Sequence, residues 1–254
     1  MRHAIRDRRV GTLLLVVALT ALVVPWVVAV ATSPAGVFGL IGFDFDIYLR
    51  ATSRWLAGGG FYLPHQLAGP YAITNGDVLY PPTAIYLFLP FLVLPGLLWW
   101  LLPIEICAAV TMRLRPTRLG LAGMTACLLP PIVIQEVLKG NPVIWAAAFE
   151  MLAVAGLPTG PLVALKASLF PFALVGVRRR SWWAVAGLML LATLPLAGLV
   201  ADWLTSVLNS SGGLLYSVKD VPLLLLPVAA GIARTRPRPV RAAASNVAAL
   251  LGSA

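Results

Sequence analysis

Long apolar runs alternate with short clusters of arginine along this chain, and that alternation limits what it can fold into. Fourteen of the nineteen basic residues fall in four groups: Arg2, Arg6, Arg8 and Arg9; Arg113, Arg115 and Arg118; Arg178, Arg179 and Arg180; Arg234, Arg236, Arg238 and Arg241. Each group abuts an apolar run. The chain is 60% hydrophobic and 11% charged, more apolar than a soluble surface tolerates. Lipid is the expected solvent. There every backbone polar group must pair within its own segment, so the runs are expected to be helices. A net charge of +10 on a soluble domain would point to nucleic acid. Clustered at span ends it follows the positive-inside rule instead, and no nucleic-acid partner is expected. Cys107 and Cys127 sit within apolar runs and read as small core residues. His3 and His65 are far apart, and no metal site or cofactor is expected.

Taken in order, Val10 to Ala31 is 22 residues without a charge, enough for one uncleaved span from the cytoplasm outward. Residues 33–79 form an extracytoplasmic loop. Within it Phe45, Tyr48, Leu49, Thr52 and Leu56 have helical spacing, so a short helix is expected at the membrane surface, ended by Gly58-Gly59-Gly60. Pro81 to Met112, broken by prolines, reads as one broken crossing with a re-entrant piece. Leu119 to Leu138 crosses outward with a bend at Pro130-Pro131, and Lys139-Gly140-Asn141-Pro142 turns outside. Val143 to Leu157 returns. Pro161 to Val177 is only 17 residues, and a full crossing would put Arg178 to Arg180 outside, so it reads as a half-membrane hairpin with Lys166 near its tip. Trp182 to Val200 crosses outward, Ala201 to Val218 is a second outer loop with Asp202, and Val221 to Ala233 returns. Residues 1–241 form a single transmembrane domain and 242–254 a cytoplasmic tail.

The first loop is the longest polar interval between apolar runs, and it holds Asp44, Asp46 and Asp77 of nine acidic residues. Carboxylates gathered on one side of the lipid suggest a site. Simpler readings stand beside it. Asp44 and Asp46 suit a helix start. Arg50 and Arg54, spaced i, i+4, could form a solvated face or meet headgroups. Lys166 could snorkel or pair with Glu150. Lys139 could be no more than a turn residue, and Tyr80-Pro81-Pro82 a helix start.

Gly42-Phe43-Asp44-Phe45-Asp46-Ile47-Tyr48, then Ala51, Leu56-Ala57-Gly58-Gly59, Tyr62 and Tyr80-Pro81-Pro82, resembles the first loop of glycosyltransferase family 87. That family belongs to the GT-C membrane enzymes that use polyprenyl-phosphate sugars. Lys139-Gly140-Asn141 takes the place of its Gly-Gln-x-Asn turn, without the glutamine. Lys166, ahead of Pro171 and the Arg178 run, resembles its Lys-x-x-Pro segment, with Ser168-Leu169 intervening. The chain is shorter than most members.

The resemblance implies an all-α, polytopic GT-C-like bundle with broken helices, multi-pass in the cell membrane, both termini cytoplasmic. It implies inverting transfer of a hexose, mannose first, from a polyprenyl-phosphate donor to a glycolipid or cell-envelope glycan on the extracytoplasmic face. Asp44 would be the catalytic base, with Asp46 the runner-up. Tyr48, Arg50, Arg54, Tyr80, Lys139, Asn141 and Lys166 would bind donor phosphate or substrate. The alternative is a non-catalytic membrane subunit or lipid-linked-sugar binding module that needs a second membrane subunit.

Overall fold

A computed structural model describes residues 41–211 and 218–233. The expected first span, the start of the first loop and the carboxy-terminal tail lie outside the described residues. The described chain is all-α. Its helices are α1 (Phe43–Leu56), α2 (Pro64–Ala68), α3 (Ile85–Phe88), α4 (Leu98–Leu114), α5 (Arg118–Leu128), α6 (Pro131–Lys139), α7 (Val143–Val154), α8 (Phe170–Ala173), α9 (Arg180–Thr193), α10 (Ala197–Asn209) and α11 (Val221–Ile232). Among the described residues there is no strand, only an isolated bridge between Tyr71 and Ser210.

Helix α1 forms where the sequence predicts a surface helix. Phe45, Tyr48, Ala51 and Thr52 recur at helical spacing and are buried, which pins one face to the core. Phe45 packs against Phe91, Trp99 and Trp100, and Tyr48 stacks on Phe88 with ring centroids 5.0 Å apart. The same aromatic cluster joins Trp99 to Trp145 of α7.

Pro90, Pro95-Gly96 and Pro130-Pro131 divide the next segments as expected, whereas Pro103 lies inside a continuous helix, α4. Pro81 to Met112 becomes 3-10 turns around α3 followed by α4, and α5 and α6 meet at 69° across Pro130-Pro131. Residues 160–173 form two 3-10 turns and the single-turn α8, with no helix of spanning length.

The second outer loop is corrected. Through a 3-10 turn at Leu194–Leu196, α9 and α10 run on as a single 30-residue helix, Arg180–Asn209, whose most apolar 18-residue stretch has a mean hydropathy of 2.2. Asp202 therefore lies in a helix. A lone aspartate within a long apolar stretch does not end it, because the neighbouring residues keep their helical hydrogen bonds. This helix is long and apolar enough to cross a membrane. Trp183, Leu188, Leu190, Leu191, Leu194, Leu204 and Leu208 are exposed along it, whereas the core helix of a soluble domain buries its apolar stripe. Helices α7 and α11, with 12 residues each, rise only about 18 Å and fall short of a full crossing.

The two described arginine clusters gather at one end. Arg179 donates through Nη1 to the Gly156 carbonyl just past α7. Gly231 of α11 lies against Val154 of α7, and Thr117 ahead of α5 donates to the Ala233 carbonyl. These contacts gather Arg113, Arg115, Arg118 and Arg178 to Arg180 at one end. At the other end, the first turn of α1 meets the end of α6, and α7 and α11 begin.

Candidate functional site

Residue 140 fixes the geometry of the far end. Gly140 ends α6 at φ +70°, a conformation that favours glycine. A Cβ there would meet Trp100 Cζ2 at 2.7 Å and Phe45 Cβ at 3.0 Å. The turn is held from outside. Trp99 Nε1 donates to the Gly140 carbonyl at 2.8 Å, Trp100 Nε1 to the Val137 carbonyl at 2.7 Å, and the Gly42 amide to the Leu138 carbonyl at 3.0 Å. The last bond sets the start of α1 against the turn and brings Asp44 to Asn141.

Asn141 is the hub. Its Nδ2 donates to Asp44 Oδ2 at 2.7 Å. Its Oδ1 accepts from Lys166 Nζ at 2.8 Å, the Val143 amide at 3.1 Å and Tyr80 Oη at 3.2 Å. A carboxylate on one side and an ammonium on the other fix the amide's orientation. Lys166 also contacts Asp220 Oδ2 at 2.5 Å, both side chains almost wholly buried, and its ammonium lies 5.5 Å from the Tyr80 ring centre. The Lys166–Asp220 contact lacks hydrogen-bond alignment, and neither Asp220 oxygen has a hydrogen-bond partner. A second ionic group adjoins the first. Lys219 Nζ lies 2.8 Å and Lys139 Nζ 3.8 Å from the same Glu136 oxygen, Oε1.

These side chains meet around a cavity of about 200 Å³ lined by Asp44, Tyr48, Asp77, Tyr80, Lys139, Asn141, Lys166 and Lys219. Asp77 closes its rim, accepting from the Thr74 amide and lying 2.8 Å from His65 Nε2. The rim is tied to the long helix. Gln66 Nε2 donates to Ser206 Oγ at 2.9 Å and to the Val78 carbonyl at 3.0 Å, and Trp203 Nε1 donates to the Leu79 carbonyl at 3.1 Å.

Asp44 is half-buried in this wall. Burial pushes its carboxyl above the usual aspartate value; the Asn141 hydrogen bond pulls it back, Glu136 raises it again, and Lys139 and Lys166 lower it. The net shift is upward, which makes the carboxylate a better proton acceptor than an ordinary aspartate. Lys219 shifts upward too: burial opposes its charge, but the Glu136 hydrogen bond and charge, then Asp220 and Asp44, outweigh it.

The cavity thus brings together six residues that the sequence singled out: Asp44, Tyr48, Tyr80, Lys139, Asn141 and Lys166. It does not bring Asp46, Arg50 or Arg54. Asp46 lies on the exposed face of α1 in a 3.7 Å ion pair with Arg50, both side chains about two-thirds exposed. Arg54 clamps the glycine turn, its Nε and Nη2 donating to the carbonyls of Gly60 and Phe61 at 2.6 and 2.8 Å. Arg50 and Arg54 thus lie away from the cavity where a donor phosphate was expected, and so does Asp46, the expected runner-up base: helical geometry turns Asp46 and Arg50 away from the face that carries Asp44. Asp44 is not a helix cap either, since Gly42 holds that position and no side-chain capping bond forms. Glu150 does not pair with Lys166; its carboxylate is buried without a hydrogen-bond partner. Three further site residues, Lys219, Asp220 and Glu136, carry no local motif and were not singled out. Their only sequence signal is charge beside or within an apolar run.

Among the described residues no group of three or more metal-ligating side chains forms. No family model, curated protein or solved structure matches the chain.

Proposed function

We propose that this chain is a multi-pass membrane glycosyltransferase that moves a hexose from a polyprenyl-phosphate donor to a lipid or glycan hydroxyl, with Asp44 as general base. The carrying observation is one cavity that holds a half-buried carboxylate of raised proton affinity and three lysine ammoniums. The chemistry needs both. The acceptor oxygen attacks the anomeric carbon as its proton passes to Asp44, while the bond from that carbon to the phosphate oxygen breaks. Positive charge grows on the sugar and negative charge on the leaving phosphate. A carboxylate and fixed ammoniums oppose those charges where they develop. Attack opposite the leaving group inverts the anomeric centre.

An apolar groove of about 320 Å³ between residues 83–87, 162–165 and α9 supports a lipid-borne donor. Its Leu87, Leu162 and Leu165 also line a small void that reaches Tyr80 and Lys166. The arginine clusters at the opposite end support chemistry on the extracytoplasmic face, since such clusters favour the cytoplasmic side.

The test is transfer of labelled sugar from a polyprenyl-phosphate hexose by membranes carrying the wild type or Asp44→Asn. Transfer by the wild type and its loss in the variant support the reading. Equal transfer by the two, or binding without transfer in either, removes it.

A further inference from the structure

We propose that Lys139 and Lys219, bridged by the Glu136 carboxylate, are the seat for a lipid-borne phosphate in this cavity, and that Lys166 is a positioning residue. The assignment of that phosphate to a sugar donor rests on the function proposed above; the seat itself does not.

Charge balance separates the three lysines. Lys166 is 2% exposed and faces the equally buried Asp220 at 2.5 Å. Its charge is matched by that carboxylate and its hydrogen bond goes to Asn141, so its role is to hold the amide that holds Asp44. Lys139 and Lys219 are two ammoniums on a single oxygen of Glu136, at 3.8 and 2.8 Å. Within this cluster one negative charge faces two positive ones, and the next carboxylate on the wall, Asp44, is bonded to Asn141 instead. The Lys219 side chain is 47% exposed and Lys139 19%, so both can turn donors toward an anion. A lysine ammonium is a compact charge with three rotatable donors, suited to the phosphate group.

The backbone ahead of α11 makes this division. Adjacent residues Lys219 and Asp220 serve opposite sides of the wall: Lys219 lines the cavity, and Asp220 sits behind it on Lys166. The turn that carries them packs against α6, which brings Glu136 and Lys139 to meet Lys219.

The experiment uses the full chain in detergent micelles and calorimetric titration with farnesyl phosphate, inorganic phosphate and farnesol. Lys219→Met and Lys139→Met should each weaken both phosphate ligands by about tenfold and leave farnesol unchanged. Lys219→Arg should stay within about threefold of wild type. Glu136→Gln removes the competing anion and should tighten phosphate binding, a gain that misfolding cannot produce. Wild-type phosphate affinity in Lys219→Met, or weakening confined to Lys166→Met, overturns the seat. A response with inorganic phosphate alone overturns its lipid-borne source. Phosphate binding that follows the expected pattern without any sugar transfer removes the transferase reading and leaves the seat. Asp44-dependent transfer with unaltered phosphate binding in Lys219→Met does the reverse.

Discussion

Asn141 donates to the Asp44 carboxylate at 2.7 Å, joining residues 97 positions apart in the chain. The bond places a carboxylate from the first turn of α1 beside a turn between α6 and α7. It leaves the second oxygen of Asp44 for a ligand in the cavity. The removal of one charge at this pair is the first test. Asp44→Asn keeps the shape and an acceptor for Asn141, and α1 is capped by Gly42, so the apparent melting temperature should change little. Sugar transfer should fall by ~10²–10⁴-fold, the usual worth of a general base. Asp46→Asn removes only an exposed i, i+4 pair and should leave transfer near wild type. Loss of transfer in Asp46→Asn with retention in Asp44→Asn would place the base on the other face of α1.

The pH profile follows from the same pair. A base works when ionised, so transfer falls as pH drops through the pKa of Asp44. That pKa is raised, chiefly by burial, so the acid limb should lie above the pH at which an ordinary aspartate protonates. The Asn141 bond lowers it. Asn141→Ala should therefore move the acid limb further up, and loss of the Lys139 charge should move it the same way. A carboxyl-carbon NMR titration of Asp44 checks the shift without an activity assay. An acid limb that moves down in Asn141→Ala would show that the bond does not favour the charged form.

Gly140 tests how far the site depends on its turn. Gly140→Ala forces a side chain into a left-handed conformation and drives Cβ to 2.7 Å from the Trp100 ring. The cost should be roughly 1–3 kcal/mol, with transfer reduced because Asn141 is displaced. Gly187 lies in α9 with open space around its missing Cβ. Gly187→Ala should be neutral or raise stability by up to about 1 kcal/mol. Thermal unfolding in detergent separates the two.

The arginine clusters give a labelling test. With Cys107 and Cys127 replaced by serine, a cysteine at Gly69, on the cavity side, should react in intact cells with an impermeant thiol reagent. One at Arg115, on the arginine side, should react only after the membrane is opened. The reverse pattern would turn the cavity toward the cytoplasm.

What the sequence disclosed depended on the range of the signal. Helix α1 was legible because Phe45, Tyr48 and Thr52 repeat at helical spacing, and the α5–α6 bend because prolines break backbone hydrogen bonds. Asp44, Tyr80, Asn141 and Lys166 were legible as motif residues. Arg50 and Arg54 were misplaced because nearness in sequence to Asp44 is not nearness on a helix. Asp202 reads from the sequence as part of an outer loop, whereas the apolar residues around it keep α10 helical. Lys219 was not legible at all: its partner Glu136 lies 83 positions away, and no local pattern encodes such a pair.

The Lys166–Asp220 contact separates positioning from binding. Lys166→Met leaves Asp220 buried with its charge unmatched, and breaking a buried pair in this way typically costs ~3–5 kcal/mol. Asp220→Leu strands Lys166 in the same way, although Asn141 still accepts from it. The double variant Lys166→Met, Asp220→Leu removes both charges and should recover much of the stability of either single variant. A double-mutant cycle on thermal unfolding would then report a coupling of a few kcal/mol. Function should not recover with stability, because Asn141 has lost the ammonium that held its Oδ1 and no longer presents its Nδ2 firmly to Asp44. Farnesyl phosphate should still bind the double variant close to wild type, since Lys139 and Lys219 are untouched. The expected result is a stable protein that binds phosphate and transfers sugar slowly. Additive losses in the cycle would show that the two residues are not paired. Full transfer by the double variant would show that the charge behind Asn141 has no part in setting the base.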